Sequence, residues 1–285
     1  MEKILKGKPV ADHISEELIT EVNRLKEEDI VPKLAIVRVG ARPDDLSYEK
    51  GATTRCAKIG IETRVLALDE GITEENFIKE IEKLNEDASV NGILIFRPLP
   101  KHIDESRIKY ILSPEKDVDA FNPINMGKLM EGDGSGFTPC TPTAVMEMLR
   151  YFQIPIRGSN IAVTGVSMIV GKPLIAMLIN ERATVTVTHR STKELSQVTR
   201  EAEIYIVAAG AAKFIKSDAV GEGAIVIDVG INVDDEGKLC GDVDFEDVVE
   251  KASRITPVPG GVGSVTTTIL AKHTIKACKQ QHHIQ

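Results

Sequence analysis

Short apolar runs rich in β-branched residues alternate with helical patterns along most of the 285-residue chain. Each run is nearly continuous, as expected for a strand that is covered by helices on both faces. This alternation is typical of an α/β fold with mainly parallel strands. It predicts strands at residues 33–40, 62–68 and 92–100 in the first half, and at 160–165, 183–189, 203–210 and 223–230 in the second.

A stretch dense in Gly, Pro and Asn, residues 122–143, separates the two halves and is the best boundary in the chain. Thr141 can cap the helix that follows, and Pro142 suits its first turn. We therefore predict two domains. The first covers residues 1–140 and is completed by a C-terminal helix at 266–285, and the second covers 141–265. Further helices are predicted at 11–27, 44–59 and 73–86.

Charge, cysteine and histidine spacing, and the amino-terminal sequence exclude several classes of function. A net charge of −8 without a long Lys/Arg run argues against a general nucleic-acid or acidic-membrane binder, because both need a concentrated basic face. The four cysteines are scattered and the histidines lack metal-ligand spacing, so we expect reduced thiols and no metal site. The amino terminus has no apolar run of signal-peptide length, and we expect a cytoplasmic protein.

The strongest nucleotide signal is "TGVSMIVGKP", residues 164–173, directly after a predicted strand. A strand that turns through Gly165 into a helix can hold a pyrophosphate against backbone N–H groups, close to small residues such as Ser167 and Gly171. The spacing is G-x-S-x-x-x-G rather than the regular dinucleotide fingerprint. A simple tight turn between strand and helix is the alternative.

The end of the next predicted strand bears on the choice of nucleotide. NAD enzymes commonly carry a carboxylate there for the ribose 2′-hydroxyl, whereas NADP enzymes carry Arg. Here the segment reads "THRST", residues 188–192, with no carboxylate. Arg190 can pair with a 2′-phosphate, and Ser191 or Thr192 can hydrogen-bond it. The pattern favours NADP over NAD, and an exposed loop arginine is the alternative.

Six segments, in the same order over nearly the whole chain, resemble the bacterial methylenetetrahydrofolate dehydrogenase/cyclohydrolase (FolD-like) family: "EKDVDAFNP", "FTPCTPT", "GVSMIVGKP", "THRST", "GAIVIDVGIN" and "TPVPGGVGSVT". The resemblance implies two α/β domains with a cleft between them. The first domain would bind a tetrahydrofolate derivative, and the second, a Rossmann-type domain with a mainly parallel sheet, would bind NADP. It also implies a homodimer built through the second domain.

Carried over by position, the resemblance implies a pyrophosphate turn at Gly165–Ser167, a 2′-phosphate site at Arg190 and Ser191, and a nicotinamide carboxamide site at Val229–Ile231. The full set of implied cofactor-binding residues is Thr141, Gly165, Val166, Ser167, Val170, Gly171, Pro173, His189, Arg190, Ser191, Ala208, Gly210, Val229, Gly230 and Ile231.

On the folate side the resemblance implies two catalytic residues. Tyr48 would stack near the folate, and Asp119 would accept hydrogen bonds from N–H groups of the pterin-like ring. Ala120 stands where the family usually has glycine. The implied substrate-binding residues are Tyr48, Phe96, Leu99, Asp119, Pro259, Gly260 and Gly261, the last three forming a loop that closes the cleft.

The first helix departs from the family pattern Tyr-x-x-x-Lys, because position 52 is Ala52. Lys50 lies two residues early, about 160° around the helix from the required direction, and is predicted to be a solvated charge. Arg55, one turn beyond Ala52, is a possible compensating cation. The family lysine assists conversions at the one-carbon bridge.

The family's glutamine partner of that lysine is replaced by Phe96 in "GILIFRPLP". Arg97 follows, but adjacent residues of a strand face opposite sides, so we expect that Arg97 does not replace the amide. Hydride transfer depends chiefly on positioning, whereas hydrolysis needs proton movement. We therefore expect NADP-dependent dehydrogenase activity with weak or absent cyclohydrolase activity.

Three alternatives stay open. The enzyme could remain bifunctional with help from Arg55 or Lys50, or the chain could be a non-catalytic folate or nucleotide binder. A different substrate is the third alternative, suggested by the apolar Phe96, and ranks lowest.

The segment "VDDEGKLCGD", residues 233–242, predicts a hairpin around Gly237 rather than a calcium loop.

Overall fold

The computed structural model describes residues 2–284 and forms two compact units. The three-stranded unit consists of His13–Cys140 and the residues from Thr267 onward. The five-stranded unit consists of the residues up to Asp12 and Thr141–Thr266. Among the residues described, no helix combines the length and apolar character that a membrane crossing requires.

Helices and strands alternate along the chain. The helices are α1 (Gly7–Glu27), α2 (Pro43–Ile59), α3 (Glu74–Glu86), α4 (Glu105–Ile111), α5 (Pro123–Glu131), α6 (Cys140–Tyr151), α7 (Gly171–Asn180), α8 (Leu195–Thr199), α9 (Phe245–Val248) and α10 (Gly263–Gln281). The strands are β1 (Lys33–Val39), β2 (Glu62–Leu68), β3 (Gly92–Ile95), β4 (Asn160–Thr164), β5 (Thr184–Thr188), β6 (Ile204–Val207), β7 (Ile225–Asp228), β8 (Asn232–Val233), β9 (Leu239–Cys240) and β10 (Arg254–Ile255).

The three-stranded unit has a parallel sheet of order β2-β1-β3. Side chains of the central strand and of β3 are almost entirely buried, and Val37 and Ile93 pack in one core with Phe77 and Ile81 of α3. The edge strand β2 is largely exposed, which differs from the two-sided burial predicted for it. An edge strand has a neighbour on one side only and needs less apolar surface.

The five-stranded unit has a parallel sheet of order β10-β7-β6-β4-β5. In a sheet of this type ligands bind outside the carboxyl ends of the strands, where the chain turns into the next helix. The antiparallel β8-β9 pair forms the predicted hairpin around Gly237. The two parallel sheets confirm the predicted α/β class.

The first residues of the chain differ from the predicted domain limits. Residues up to Asp12 group with the five-stranded unit rather than with His13–Cys140. Leu5 donates its backbone N–H to the Ile255 carbonyl at 2.8 Å and so extends the sheet edge. The division of the two binding functions between the domains stays a prediction.

Strand β3 is shorter than predicted. It ends at Ile95 instead of continuing to residue 100, although Phe96 still donates its N–H to the Val37 carbonyl at 2.9 Å. Pro98 and Pro100 have no N–H to donate, which prevents further ladder pairing. Arg97 therefore lies in a loop, after a point at which strand alternation no longer applies.

Candidate active site

Tyr48 lies near the start of α2. Pro43 opens this helix and Gly60 ends it in a left-handed conformation with φ of 99°. The Tyr48 ring packs edge-on against Phe96, with ring centroids 5.6 Å apart. Burial raises the pKa of Tyr48 well above its usual value, and nearby Cys140 and Asp119 act in the same direction. Tyr48 is therefore a neutral phenol that offers an aromatic face and a hydroxyl group.

Three further positions of α2 were singled out by the sequence: Lys50, Ala52 and Arg55. Lys50 is exposed, which confirms the prediction of a solvated charge. Ala52 is completely buried. The Arg55 guanidinium donates to the Ser15 hydroxyl of α1 at 3.0 Å. The face of α2 at position 52 thus offers a methyl group where the resemblance implies an ammonium group.

Asp119 is held by two donors from distant parts of the same unit. Its Oδ1 accepts the Cys140 backbone N–H at 2.8 Å, and its Oδ2 accepts a hydrogen bond from Arg97 Nη2 at 3.3 Å. The next residue, Ala120, has a φ of 52°, in the left-handed region that glycine adopts most easily. That conformation explains why a glycine suits the position in the related proteins.

The pairing of Arg97 with Asp119 corrects one expectation. Strand alternation, the reason given for expecting that Arg97 does not replace the amide, does not apply, because β3 has already ended at Ile95. Its guanidinium turns toward Asp119 and stacks on the Phe121 ring, with Cζ 4.4 Å from the ring centroid. The sequence pattern did not indicate this contact between Arg97 and Asp119.

A buried carboxylate supports the segment that carries Asp119. Asp117 accepts hydrogen bonds from the Phe121 N–H at 3.0 Å, the Asn122 N–H at 2.7 Å and the Asn125 side-chain amide at 3.1 Å. Burial raises the pKa of Asp117 to about 6, although these hydrogen bonds oppose the rise. Such a bonded carboxylate fixes the loop from residue 117 to 122.

Cys140 and His273 lie buried behind Asp119. His273 donates from Nδ1 to the Val118 carbonyl at 2.9 Å, and burial lowers the pKa of its ring to about 4. Burial raises the pKa of the Cys140 thiol well above its usual value. Neither group has the charge state of an activated nucleophile pair. Leu99 is also buried, in the core of this unit.

The turn after β4 in the five-stranded unit is built on two glycines. Gly165 has a φ of 135°, and a Cβ there would lie 2.2 Å from the Ala208 carbonyl oxygen. A Cβ on Gly171 would lie 2.1 Å from the Gly165 carbonyl oxygen. Ser167 Oγ accepts the N–H groups of Val170 and Gly171 at 3.1 and 3.4 Å. Only glycine fits these two positions.

Neighbouring residues of this turn are exposed to solvent. Val166 and Ser167 are exposed, Val170 is half-buried, and Pro173 is buried in the first turn of α7. This backbone cradle at a helix start fits a pyrophosphate group. Thr141, another predicted cofactor residue, is half-buried in the first turn of α6.

The segment after β5 forms a compact turn. The His189 N–H donates to Thr192 Oγ1 at 2.9 Å, and the Ser191 N–H donates to His189 Nδ1 at 3.2 Å. These bonds leave the side chains of Arg190 and Ser191 exposed. A guanidinium and a hydroxyl presented side by side suit a phosphate monoester.

Two buried aspartates, both missed by the sequence analysis, organise the remaining strand ends. Asp242 accepts N–H groups of Ala209, Gly210 and Ala211 at 2.6, 3.0 and 2.8 Å, in the segment after β6. Asp228 accepts the Gly230 N–H at 2.9 Å. An acidic residue that ends an otherwise apolar strand is the signal that could have identified Asp228.

Burial raises the pKa of Asp228 to about 7, against its backbone hydrogen bonds. A Cβ on Gly230 would lie 2.3 Å from the Asp242 carboxyl carbon, so the two carboxyl groups and this glycine are closely packed. Ala208 and Gly210, which has a φ of 63°, lie on one strand end, and Val229 and Gly230 on the next. The arrangement fixes the backbone that the resemblance assigns to the cofactor.

The loop Pro259–Gly261 belongs to the five-stranded unit. It lines a cavity of about 200 Å³ together with Val229, Gly230 and Ile231. A Cβ on Gly261 would lie 2.5 Å from the Pro257 carbonyl oxygen, so the loop is tightly folded. The structure thus brings the predicted loop and the predicted nicotinamide segment to one cavity.

These features define a class: an α/β protein with a nucleotide-binding parallel sheet in one unit and a partly polar, aromatic-lined site in another. Comparison with known proteins identifies the family. Residues 5–119 match the catalytic domain of tetrahydrofolate dehydrogenase/cyclohydrolase, and residues 139–282 match the NAD(P)-binding domain of the same proteins. The chain belongs to the tetrahydrofolate dehydrogenase/cyclohydrolase family, which confirms the predicted resemblance, the enzymatic nature of the chain and its nucleotide cofactor.

Individual relatives cover the chain from end to end. It is 60% identical to the bifunctional protein FolD of Alkaliphilus oremlandii over 284 residues, covering all of both chains. It is also 60% identical to the bifunctional protein FolD of Clostridioides difficile over 281 residues, 99% of this chain and 98% of the relative.

Solved structures agree. The bifunctional enzyme FolD from Campylobacter jejuni is 45% identical with a TM-score of 0.95, over 97% of this chain and 98% of that one. The Trypanosoma brucei FolD, in complex with NADP cofactor and inhibitor, is 35% identical with a TM-score of 0.92, over 97% of each chain.

Proposed function

We propose that this chain oxidises 5,10-methylenetetrahydrofolate to 5,10-methenyltetrahydrofolate with NADP, and that it hydrolyses the methenyl product weakly or not at all. The observation that carries the proposal is the pair of sites described above. Tyr48 and Asp119 form a ring-binding site in the three-stranded unit, and the glycine cradle at Gly165 and Gly171 forms a phosphate site in the other.

The residues present fit NADP. Gly165 and Gly171 leave room for a pyrophosphate where any Cβ would collide with backbone, and Arg190 with Ser191 offers a cation and a hydroxyl for the 2′-phosphate. The Trypanosoma brucei relative is a complex with NADP. When bound, the nicotinamide ring supplies the hydride acceptor, and the backbone of Val229–Ile231 orients its carboxamide group.

On the folate side, Tyr48 provides an aromatic surface for the ring system, and Asp119 accepts its N–H groups. The Phe96 ring packs against Tyr48 and keeps water from that side of the phenol. These contacts position the one-carbon bridge, which is what hydride transfer chiefly requires.

Hydrolysis places a different demand on the site, because water must be activated and protons moved. Position 52 carries a buried methyl group and position 96 a buried ring, so neither supplies a proton-transfer group. Arg55 is bonded to Ser15, and a guanidinium stays protonated in proteins, so it makes a poor general base. The relatives named bifunctional argue for both activities, and these side chains argue for a reduced second one.

A paired assay tests the proposal. Purified protein receives 5,10-methylenetetrahydrofolate with NADP or NAD, and reduced nucleotide and methenyl compound are followed in the same cuvette. We expect NADPH formation with methenyl compound accumulating in step. NADPH without accumulation would mean that hydrolysis survives, and absence of turnover with ligand-induced stabilisation would favour a binding protein.

The predicted homodimer is part of this proposal. Ile231, Val233 and Leu239, on and beside the β8-β9 hairpin, are 68%, 62% and 54% exposed, which is unusual for large apolar side chains so close together. Light scattering on the purified protein measures the mass directly: twice 31.1 kDa supports the dimer, and a single chain mass contradicts it.

The four buried free cysteines suit the proposed cytoplasmic location.

A further inference from the structure

The Arg97 side chain is confined between an aromatic ring and a carboxylate. Its Nη2 donates to Asp119 Oδ2 at 3.3 Å, and its Cζ lies 4.4 Å from the centroid of the Phe121 ring. The side chains of Arg97 and Asp119 are only 16% and 24% exposed, so solvent screens their interaction less than that of a surface pair.

The hydrogen bonds around Arg97 and Asp119 fix the orientation of the Asp119 carboxylate. Asp119 Oδ1 is already bonded to the Cys140 N–H, so the two donors hold the carboxylate in one orientation. The Phe121 ring covers one face of the guanidinium, whose five N–H groups point outward in the guanidinium's own plane. In the part of the chain that the structure describes, Asp119 is the one hydrogen-bond partner of Arg97.

An acceptor and a donor therefore stand side by side at the folate site. The pterin ring of folates has an amino-oxopyrimidine edge, on which N–H donors adjoin a carbonyl acceptor. A carboxylate beside a guanidinium matches that edge: the carboxylate accepts from the N–H groups, and the guanidinium donates to the oxo oxygen.

We propose that Arg97 is a substrate-binding and specificity-determining residue, which orients Asp119 and donates a hydrogen bond to the ring oxo group of the folate. This inference rests on the proposed function, because it requires that Asp119 bind the pterin ring. The ligand class it selects is the 2-amino-4-oxopteridine. A 2,4-diaminopteridine would turn an amino donor toward the guanidinium and bind less tightly.

The test compares four variants with the wild type: R97L, R97K, D119N and the double variant R97L/D119N. R97L keeps an apolar side chain over Phe121, and we expect its KM for 5,10-methylenetetrahydrofolate to rise about 10- to 100-fold, with kcat changed less than about threefold. R97K should recover part of the loss. In the D119N background the additional effect of R97L should shrink, because orientation of the carboxylate no longer matters.

The preference between two pteridine ligands is a second measurement, and a general loss of structure would not change that preference. Titration of the NADP-saturated enzyme with 4-oxo and 4-amino pteridine ligands should show preference for the oxo compound in the wild type and little preference in R97L. R64L is the matched control, since Arg64 pairs with Asp87 at 3.2 Å on the same unit but is far more exposed. Its KM should be unchanged.

Two outcomes overturn the inference. A lower KM in R97L would mean that Arg97 competes with the substrate for Asp119, and an unchanged KM with unchanged oxo preference would mean that Arg97 does not contact the ring. Both results require a wild type that turns over methylenetetrahydrofolate. A wild type without that activity contradicts the proposed function instead, so the two failures are distinguishable.

Discussion

The two units hold their ligand sites by different means. In the five-stranded unit the proposed nucleotide site is made mostly of backbone, at the ends of parallel strands, and the glycines that shape it stand where the resemblance implies. In the three-stranded unit the proposed folate site is made of side chains, and Ala52 and Phe96 stand where the resemblance implies polar residues.

Substitutions can change the chemistry of a site built from side chains more easily than that of a site built from backbone. A backbone cradle depends on positions where a single Cβ would collide with main-chain atoms, so it tolerates no side chain there. A site of side chains can exchange polar for apolar groups without losing its fold: Ala52 and Phe96 are buried, and burial of apolar surface is favourable. Loss of one activity is therefore expected on the folate side.

The strongest test of this comparison is Gly165→Ala in the backbone-built site. The added Cβ would lie 2.2 Å from the Ala208 carbonyl oxygen at a φ of 135°, so the turn must move. We expect NADP affinity to fall more than about 100-fold and the five-stranded unit to lose about 3 kcal/mol or more of stability. Calorimetric NADP titration and thermal unfolding measure the two effects.

Gly158→Ala is the matched control. Gly158 also has a positive φ, 79°, in the same unit, but a Cβ there meets no atom within 4 Å. We expect about 1 kcal/mol of destabilisation from the backbone conformation alone and unchanged NADP affinity. Equal behaviour of the two variants would contradict the idea that the collision at Gly165 shapes the site.

Introducing the Lys and Gln that the resemblance implies tests the proposed folate site, which is built from side chains. The double variant A52K/F96Q should raise cyclohydrolase activity by about 100-fold over the wild type, since a positioned proton-transfer group commonly contributes that much. The assay follows decay of the methenyl compound. K50A is the control, because Lys50 is exposed, and its rates should equal the wild type. A wild type already as fast as the double variant would show that hydrolysis does not use these positions.

Two buried groups, one in each unit, respond to pH with opposite signs. His273 is neutral and buried, with its pKa lowered to about 4 from an ordinary value of 6.5, so it contributes stability that is lost as pH falls from 6.5 toward 4. Asp228, with its pKa raised to about 7, has the opposite sign: its contribution is present below pH 4 and lost as pH rises through 7.

His273→Asn isolates the first effect. Asn can still donate to the Val118 carbonyl but does not titrate, so the variant should be less stable than the wild type at pH 7.5, by an amount that shrinks by about 2 kcal/mol at pH 5. Hydrogen exchange of β3 and α10 amides reports on this unit. Subtracting the variant from the wild type removes the contribution of Asp117, whose pKa is raised to about 6. A pH-independent difference would contradict the buried neutral ring.

The smallest effect is expected at an exposed part of the nucleotide site. Arg190→Ala should raise the KM for NADP about tenfold and leave the KM for NAD unchanged, because the guanidinium meets only the 2′-phosphate. Arg157→Ala, an exposed arginine of the same unit, should change neither. Equal losses with NADP and NAD in Arg190→Ala would mean that Arg190 supports the turn rather than the phosphate.

Several features were predictable because they depend on local pattern. Short, nearly continuous apolar runs located the strands, helical patterns located α2, and a helix turn of 100° per residue predicted that Lys50 faces solvent. The Gly165 turn was visible because a strand, a small residue and a helix follow one another directly. Contacts between distant residues were not visible: Arg97 meets Asp119 22 positions later, and Asp242 meets Ala209 33 positions earlier.

Residue type and short-range spacing were enough to predict the α/β class and the glycine turn after β4, and to single out Ala52 and Phe96. Only the folded chain shows that the residues up to Asp12 group with the five-stranded unit and that Arg97 turns toward Asp119. The physical reason is that these outcomes depend on which distant donors and acceptors become neighbours, and hydrogen-bond partners are chosen only when the chain is folded.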